Sequence, residues 1–201
     1  FINICKDHRI SAVFQNEAGD GFTDISASWA RDDIRFAVER GLFQGLSASR
    51  FGPDEGMTRA MFATVLARLY GADLPAETGS AFSDVEANAW YGPAAAWALR
   101  NHLMLGVGES LFAPHRMITR EELAAILYRY ALLTGAATEP RGSLDAFADG
   151  KSVSARAVES MRWAVGEQLI QGRHNGSLDP AGTITRAEIV AILRRYLARA
   201  N

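Results

Sequence analysis

The stretch ITRAEI, Ile184–Ile189, sets an arginine directly behind a threonine at the start of an amphipathic run. Near-copies stand at MTRAMF, Met57–Phe62, and ITREEL, Ile118–Leu123. Thr119 and Thr185 precede Glu122 and Glu188 by three residues, the capping-box spacing of a helix start. Met61 replaces the glutamate in the first copy, so Thr58 is expected to cap alone. Behind each cap, apolar residues recur at i, i+3, i+4 and i+7: Phe62, Val65, Leu66, Leu69; Leu123, Ile126, Leu127, Tyr130; Ile189, Ile192, Leu193, Tyr196. Capping does not account for Arg59, Arg120 and Arg186. A cation in the first turn opposes the helix dipole, by about 0.3–1 kcal/mol at an exposed site. An anion held between the guanidinium and free helix N–H groups would reverse the sign, at about 1.5–3 kcal/mol per charge-assisted bond. So would an ion pair with an acid of a neighbouring unit, Asp24, Asp84 or Asp149. Spacing alone leaves both open.

Working outward, offsets of 61 and then 66 residues bring three segments into register. Gly45, Gly106 and Gly172 coincide, as do Pro53, Pro114 and Pro180, and Phe51, Phe112 and Leu178. Each unit opens on an aromatic-x-acid triplet: Phe22-Thr23-Asp24, Phe82-Ser83-Asp84 and Phe147-Ala148-Asp149. An earlier helix is marked by Ile34, Ala37 and Val38, then Ala95, Ala98 and Leu99, then Met161, Ala164 and Val165, beside an aromatic column of Phe36, Trp97 and Trp163. Gly, Ser and Pro crowd the stretch between the helices, which reads as a compact loop. The units span 22–73, 82–134 and 147–201, joined by linkers 74–81 and 135–146, with 1–21 as an N-terminal extension outside the repeat. One such hairpin hardly buries its own stripe, whereas three share a core. The expected fold is all-α: three tandem helix-loop-helix repeats packed with approximate threefold symmetry, with similar clefts between neighbours.

Composition narrows the function classes. The chain has 201 residues, 48% hydrophobic, and a net charge of -2, which gives no general basic field for duplex nucleic acid. No run of about 18 apolar residues exists to span a membrane. The opening residues lack a signal-peptide pattern, and a start at Phe1 suggests a fragment or a processed chain. Cys5 is the lone cysteine and has no metal-ligand spacing around it. His8, His102, His115 and His174 form no metal set, and the adjacent Asp32 and Asp33 point different ways on a helix. The stretch Asp149–Ser152, DGKS, lacks the earlier glycine of a phosphate loop, Asp145 standing in its place. No catalytic constellation, metal site or cofactor is expected.

The assembled order in the second unit is Phe82, Asp84, Trp90, Gly106, Phe112, Pro114, Thr119, Arg120 and Glu122. This pattern resembles the surface-layer homology (SLH) repeat of bacterial envelope proteins, over about residues 22–199. The resemblance implies a pseudo-threefold spindle that anchors an exported protein, outside the cell, to secondary cell-wall polysaccharide. It also implies an acidic, pyruvylated sugar as the recognised feature, which would supply the anion for the arginines. Carried onto this sequence, Arg59, Arg120 and Arg186 would grip the ketal carboxylate. Asp24, Asp84 and Asp149 would orient sugar hydroxyls or support the arginine. Gly45, Gly106 and Gly172 would allow close backbone approach or a turn, and Trp29 and Trp90 would offer a platform to a sugar face or else be buried. Other copies of a surface-layer protein are a second expected partner, and a purely structural self-association module is the alternative function.

Departures from the pattern distinguish the repeats. Met61 replaces the glutamate of the first; Ala155 is aligned with Trp90, and Leu178 replaces phenylalanine, in the third; no hydrophobic residue follows Asp149. On this reading repeat two makes the most complete half-site and repeat three the least typical.

Overall fold

The computed structural model describes residues 21–74, 82–86, 88–108, 110–139 and 141–199. The alternating patch around Ile10–Phe14, with Cys5 and His8, and most of linker 74–81 lie outside the described residues. Among those described, the regular structure is helical: α1 Arg31–Glu39, α2 Arg59–Tyr70, α3 Gly92–Arg100, α4 Arg120–Leu133, α5 Val158–Gly166 and α6 Arg186–Arg199, with 3-10 turns at Gly150–Ser152 and Ala155–Ala157. The expected caps form. Thr58 accepts from the Met61 amide alone, whereas Thr119 with Glu122, and Thr185 with Glu188, complete capping boxes. The first helix of each repeat has no side-chain cap.

The two helices of one repeat do not pair with each other as a hairpin would. Instead α2 packs on α3, α4 on α5, and α6 returns to α1, so every helix pair is shared between neighbouring repeats. The aromatic column supplies these seams. Trp97 meets Tyr70 with ring centroids 5.4 Å apart, Trp163 meets Tyr128 at 5.6 Å, and Phe36 lies 5.2 Å from the Arg194 guanidinium. Linker 135–146 is partly docked as well: Trp163 Nε1 donates to the Ala137 carbonyl, and Arg162 Nε to that of Gly142. Gly150 stands where Asp24 and Asp84 are followed by the buried Ile25 and Val85, and the Leu144 main chain packs over the space left there.

At the centre the chain closes a ring of main-chain hydrogen bonds. Ile118 N donates to Met57 O (2.9 Å), Met57 N to Ile184 O (3.0 Å), and Ile184 N to Ile118 O (3.2 Å), all three residues being fully buried. The helix amides that follow are consumed by a neighbouring repeat. Arg59 N and Ala60 N donate to Arg116 O and Pro114 O, Arg120 N and Glu121 N to Gly182 O and Pro180 O, and Arg186 N and Ala187 N to Glu55 O and Pro53 O. With the threonine oxygen taking the third, the first three N–H groups of each helix have partners. Approximate threefold symmetry follows from one bonding scheme used three times around a closed ring.

The three arginines lie inside this ring, each only 4% exposed. Arg59 donates from Nε to Phe112 O (2.7 Å) and from Nη2 to Leu105 O (2.6 Å). Arg120 reaches Leu178 O and Gln171 O in the same way, and Arg186 reaches Phe51 O and Gln44 O. Each repeat's arginine thus fastens the loop of the next, and the third fastens the first. The loop it grips is braced from the other side by the acid of its own repeat. Asp24 accepts from the Phe51 and Gly52 amides, Asp84 from Phe112 and Ala113, and Asp149 from Leu178 and Asp179. One peptide-bearing residue, Phe51, Phe112 or Leu178, therefore gives its N–H to an acid and its C=O to an arginine. The leading helix N–H groups are occupied by carbonyls, and Asp24, Asp84 and Asp149 hydrogen-bond loop amides, acting on Arg186, Arg59 and Arg120 through charge and not through a direct bond.

Two of the positive-φ backbone positions recur at the same place in all three repeats. Gly41, His102 and Gln168 occupy one, Gly52, Ala113 and Asp179 the other, so only the first repeat uses glycine at both. The aligned His102 is therefore a helix-end residue held in a left-handed conformation.

Three stability outcomes follow. Arg120→Ala leaves two carbonyls and a cavity inside the ring, at a cost of about 3–5 kcal/mol, and Arg120→Lys, lacking the fork, about half as much; urea denaturation measures both. His102→Gly relieves a left-handed side-chain residue at an exposed site and raises stability by about 0.5 kcal/mol, the left-handed penalty less glycine's entropy. Acid acts through the carboxylates. Asp149 is held below its ordinary pKa first by the Leu178 amide, against burial, with Asp179 N–H and Arg120 adding to the effect. At Asp24 burial raises the value, yet the Phe51 and Gly52 amides together outweigh it; at Glu122 burial is overcome by Arg116 and the Thr119 amide. A folded-state value below the unfolded one means the stabilisation is complete above the unfolded pKa, about 4, and is lost as pH falls through the folded values. Urea midpoints should be flat from pH 7 to about 5 and fall below about 4, and Asp149→Asn should shallow that fall.

Candidate functional site: grooves between the repeats

The same ring that consumes the arginines leaves three grooves on the surface, each built from three repeats. The loop before the glycine and the second helix of one repeat form the floor and one wall. The arginine of a second repeat stands at the inner end, and the residue just before the first-helix N-cap of the third repeat forms the rim. At the loop of repeat two the groove is lined by Leu105 and Gly106, Arg129 of α4, Arg59 from repeat one and Arg156 from repeat three, and encloses about 470 Å³. At repeat three it is lined by Gln171 and Gly172, Arg195 of α6, Arg120 from repeat two and Trp29 from repeat one, with about 590 Å³. At repeat one it is lined by Gln44 and Leu46, Arg68 of α2, Arg186 from repeat three and Trp90 from repeat two, and shrinks to about 130 Å³. Small-ligand sites run from about 300 to 1,000 Å³, which separates the first two grooves from the third.

Trp29 and Trp90 are each 65% exposed, which decides between a platform and a core role in favour of an accessible indole. Trp90 is held edge-to-face on Tyr91, with centroids 5.3 Å apart. Counting from the helix N-caps Ala30, Tyr91 and Ala157, the residue of repeat three that matches them is Arg156, not Ala155. A guanidinium thus replaces an indole at one rim. Gly45, Gly106 and Gly172 do not have positive φ. They admit the aromatic ring of their own triplet: a Cβ on Gly172 would lie 2.8 Å from Phe147, and one on Gly106 would lie 2.9 Å from Leu111 O and 3.3 Å from Phe82. Gly106 and Gly172 also line their grooves, whereas Asp24, Asp84 and Asp149 act one layer behind through the loop amides.

Burial lowers the pKa of all three ring arginines, that of Arg186 to about 10, so each remains a cation at neutral pH. Among the described residues no hydrogen bond uses Nη1 of Arg59 or Arg186, while Nη1 of Arg120 lies 3.8 Å from Glu188. A second ring of cations, which the sequence reading passed over, lies on the groove walls. Arg68, Arg129 and Arg195 occupy one column, nine residues after the ring arginines, and each donates from Nη1 to a carbonyl of its own repeat, Leu42, Leu103 or Leu169, at 3.2–3.3 Å. The signal was present as a second arginine register in LARLY, LYRYA and LRRYL. Each groove mixes three repeats, and the roomiest of the three lies at the loop of repeat three. No helix among the described residues is long and apolar enough to cross a membrane.

Comparison with known proteins agrees with this architecture. The family model for the S-layer homology domain matches residues 21–63, 81–124 and 146–190. The chain is 33% identical over 181 residues to an amylopullulanase of Thermoanaerobacterium thermosulfurigenes, covering 90% of this chain and 10% of that protein. It is 33% identical over 179 residues to the surface-layer 125 kDa protein of Lysinibacillus sphaericus, covering 88% and 14%. A cellulosome-anchoring protein of Acetivibrio thermocellus is 29% identical over 170 residues, covering 78% and 35%. The chain therefore spans a small part of the relatives it matches. Three matched segments, in register with three helix pairs and one closed ring, make it a member of the S-layer homology domain family, a cell-surface module in three tandem copies.

Proposed function

We propose that this chain is a non-catalytic anchor that holds the protein containing it to the cell wall, by binding an acidic, pyruvylated secondary cell-wall polysaccharide in the grooves between its repeats. The observation that carries this reading is the pairing, in one open cleft, of arginines from two repeats with an exposed indole: Arg120, Arg195 and Trp29 at the loop of repeat three. A sugar ring presents one apolar face to an indole, and a carboxylate on that ring accepts charge-assisted bonds from a guanidinium. Arg195 has one bond to a carbonyl and offers the rest of its donors to the cleft. In this arrangement Arg59, Arg120 and Arg186 fix the inner end of each groove and add their charge there. Asp24, Asp84 and Asp149 hold the loop in place, and Gly45, Gly106 and Gly172 keep it close to the core. Trp90 serves the small groove of repeat one, which admits less of a ligand. The relatives' names, a cellulosome-anchoring protein and a surface-layer protein, fit an anchoring role.

Retention on purified wall polymer tests this. Trp29→Ala with Arg195→Ala should weaken binding by roughly 10- to 100-fold, the equivalent of one lost charge-assisted contact, while the melting temperature stays within a few degrees. Arg68→Ala should do less, and polymer stripped of pyruvyl groups should bind poorly to the unaltered chain. Equal retention of the double variant, or of the stripped polymer, overturns the reading.

A further inference from the structure

The grooves at repeats two and three share a frame but differ in how their cations are neutralised. At repeat three, Arg173 donates to Asp179 at 2.8 Å and to Glu188 at 3.0 Å, and Glu188 also stands 3.8 Å from Arg120. That leaves Arg195 as the wall cation without an acid partner, in the cleft that Trp29 also lines. At repeat two the corresponding Glu122 makes its ion pair with Arg116, which holds both its oxygens at 2.5 and 3.2 Å, and acts on Arg59 only through longer-range charge. The other acid in that groove, Glu121, accepts from the Ser154 amide at 3.0 Å. Arg59 and Arg129 then donate hydrogen bonds to carbonyls alone, and Arg156 has no hydrogen bond or ion pair among the described residues. Four arginines line this cleft of about 470 Å³; Arg116 is paired with Glu122, and Arg59, Arg129 and Arg156, one from each repeat, have no carboxylate in hydrogen-bond or ion-pair contact.

We infer that the groove at repeat two takes a doubly charged anionic saccharide, such as a sugar phosphate, whereas the groove at repeat three takes a sugar with a single carboxylate and an exposed apolar face. The inference rests on the anchoring reading for the polymer's presence, and its own content is the difference between the grooves. Two negative charges can each meet a separate guanidinium at repeat two, and the missing indole removes the stacking surface a neutral ring face would use. Each cleft is lined by two acids, Glu121 and Glu122 at repeat two and Asp54 and Glu188 at repeat three, but four arginines line the first and three the second, so a second negative charge is less well compensated at repeat three.

The test uses fragments of known charge on the intact chain. Hexose 6-phosphate, a dianion at pH 8, and glucuronate, a monoanion, are titrated separately into 15N-labelled protein. Shifts at Leu105, Gly106 and Val107 report one groove, and those at Gln171, Gly172 and Arg173 the other. Phosphate should bind at repeat two at least about tenfold tighter than glucuronate, and rising salt should erode that binding more than binding at repeat three. Arg156→Trp should abolish the preference. Equal affinities at repeat two, no phosphate binding there, or an unchanged preference in Arg156→Trp would each overturn the inference. Polymer retention is scored separately, so a failed preference with retained anchoring removes this inference and leaves the proposed function standing.

Discussion

Everything in this molecule depends on a guanidinium crossing a repeat boundary to hold two carbonyl oxygens. Arg59, Arg120 and Arg186 begin their helices at the position where a cation is least welcome, yet they are almost wholly buried. The dipole argument fails to forbid this because the helix ends are not bare. Their leading amides already donate to carbonyls of the neighbouring repeat, and the guanidinium adds its own donors to the same loop. Carbonyl oxygens stand in for the anion. The fork geometry matters: Nε and Nη2 reach acceptors several residues apart on one loop, which a lysine ammonium could not do from a single point.

Closure follows from that contact being cyclic. A linear array of repeats would leave one arginine without a loop and one loop without an arginine. Here Arg186 returns to Phe51 and Gln44, and α6 packs on α1, so no repeat is terminal. The grooves inherit this property. Each takes its floor, inner cation and rim from three different repeats, so an isolated repeat contains no complete groove, just as it contains no complete helix pair. Folding and ligand geometry are therefore set by the same contacts.

Much of this was legible in the sequence, and what was not has physical reasons. Caps, apolar stripes and the repeat register are local or periodic, and each appears as read at Thr119, Glu122 and Leu123. The partner of the arginine was hidden because a backbone carbonyl leaves no mark on residue identity; an acid or a bound anion is the natural guess when only side chains can be seen. The pairing of α2 with α3 was hidden for a related reason, since an apolar stripe states that a helix is covered without stating by what. The exposed tryptophans were undecided because indoles serve cores and surfaces alike. By contrast the Arg68, Arg129 and Arg195 column could have been found by extending the register nine residues beyond the caps. The match of Trp90 to Ala155 was a one-residue slip across the two 3-10 turns, which the helix columns at the 66-residue offset correct to Arg156.

That correction points to how such a module can vary. The frame tolerates little: Met57, Ile118 and Ile184 are sealed in the ring, and a side chain at Gly172 would strike Phe147 and one at Gly106 the Leu111 carbonyl. The rim is under no such constraint. Trp29, Trp90 and Arg156 are exposed residues just before the first helix of their repeats, and none of the ring hydrogen bonds involves them. The acids are similarly free to be redirected, as Glu122 is by Arg116 and Glu188 by Arg173, because only their capping bond to a threonine amide belongs to the fold. A single repeated scaffold can thus carry grooves of unlike charge, with the difference confined to side chains whose replacement costs the fold little.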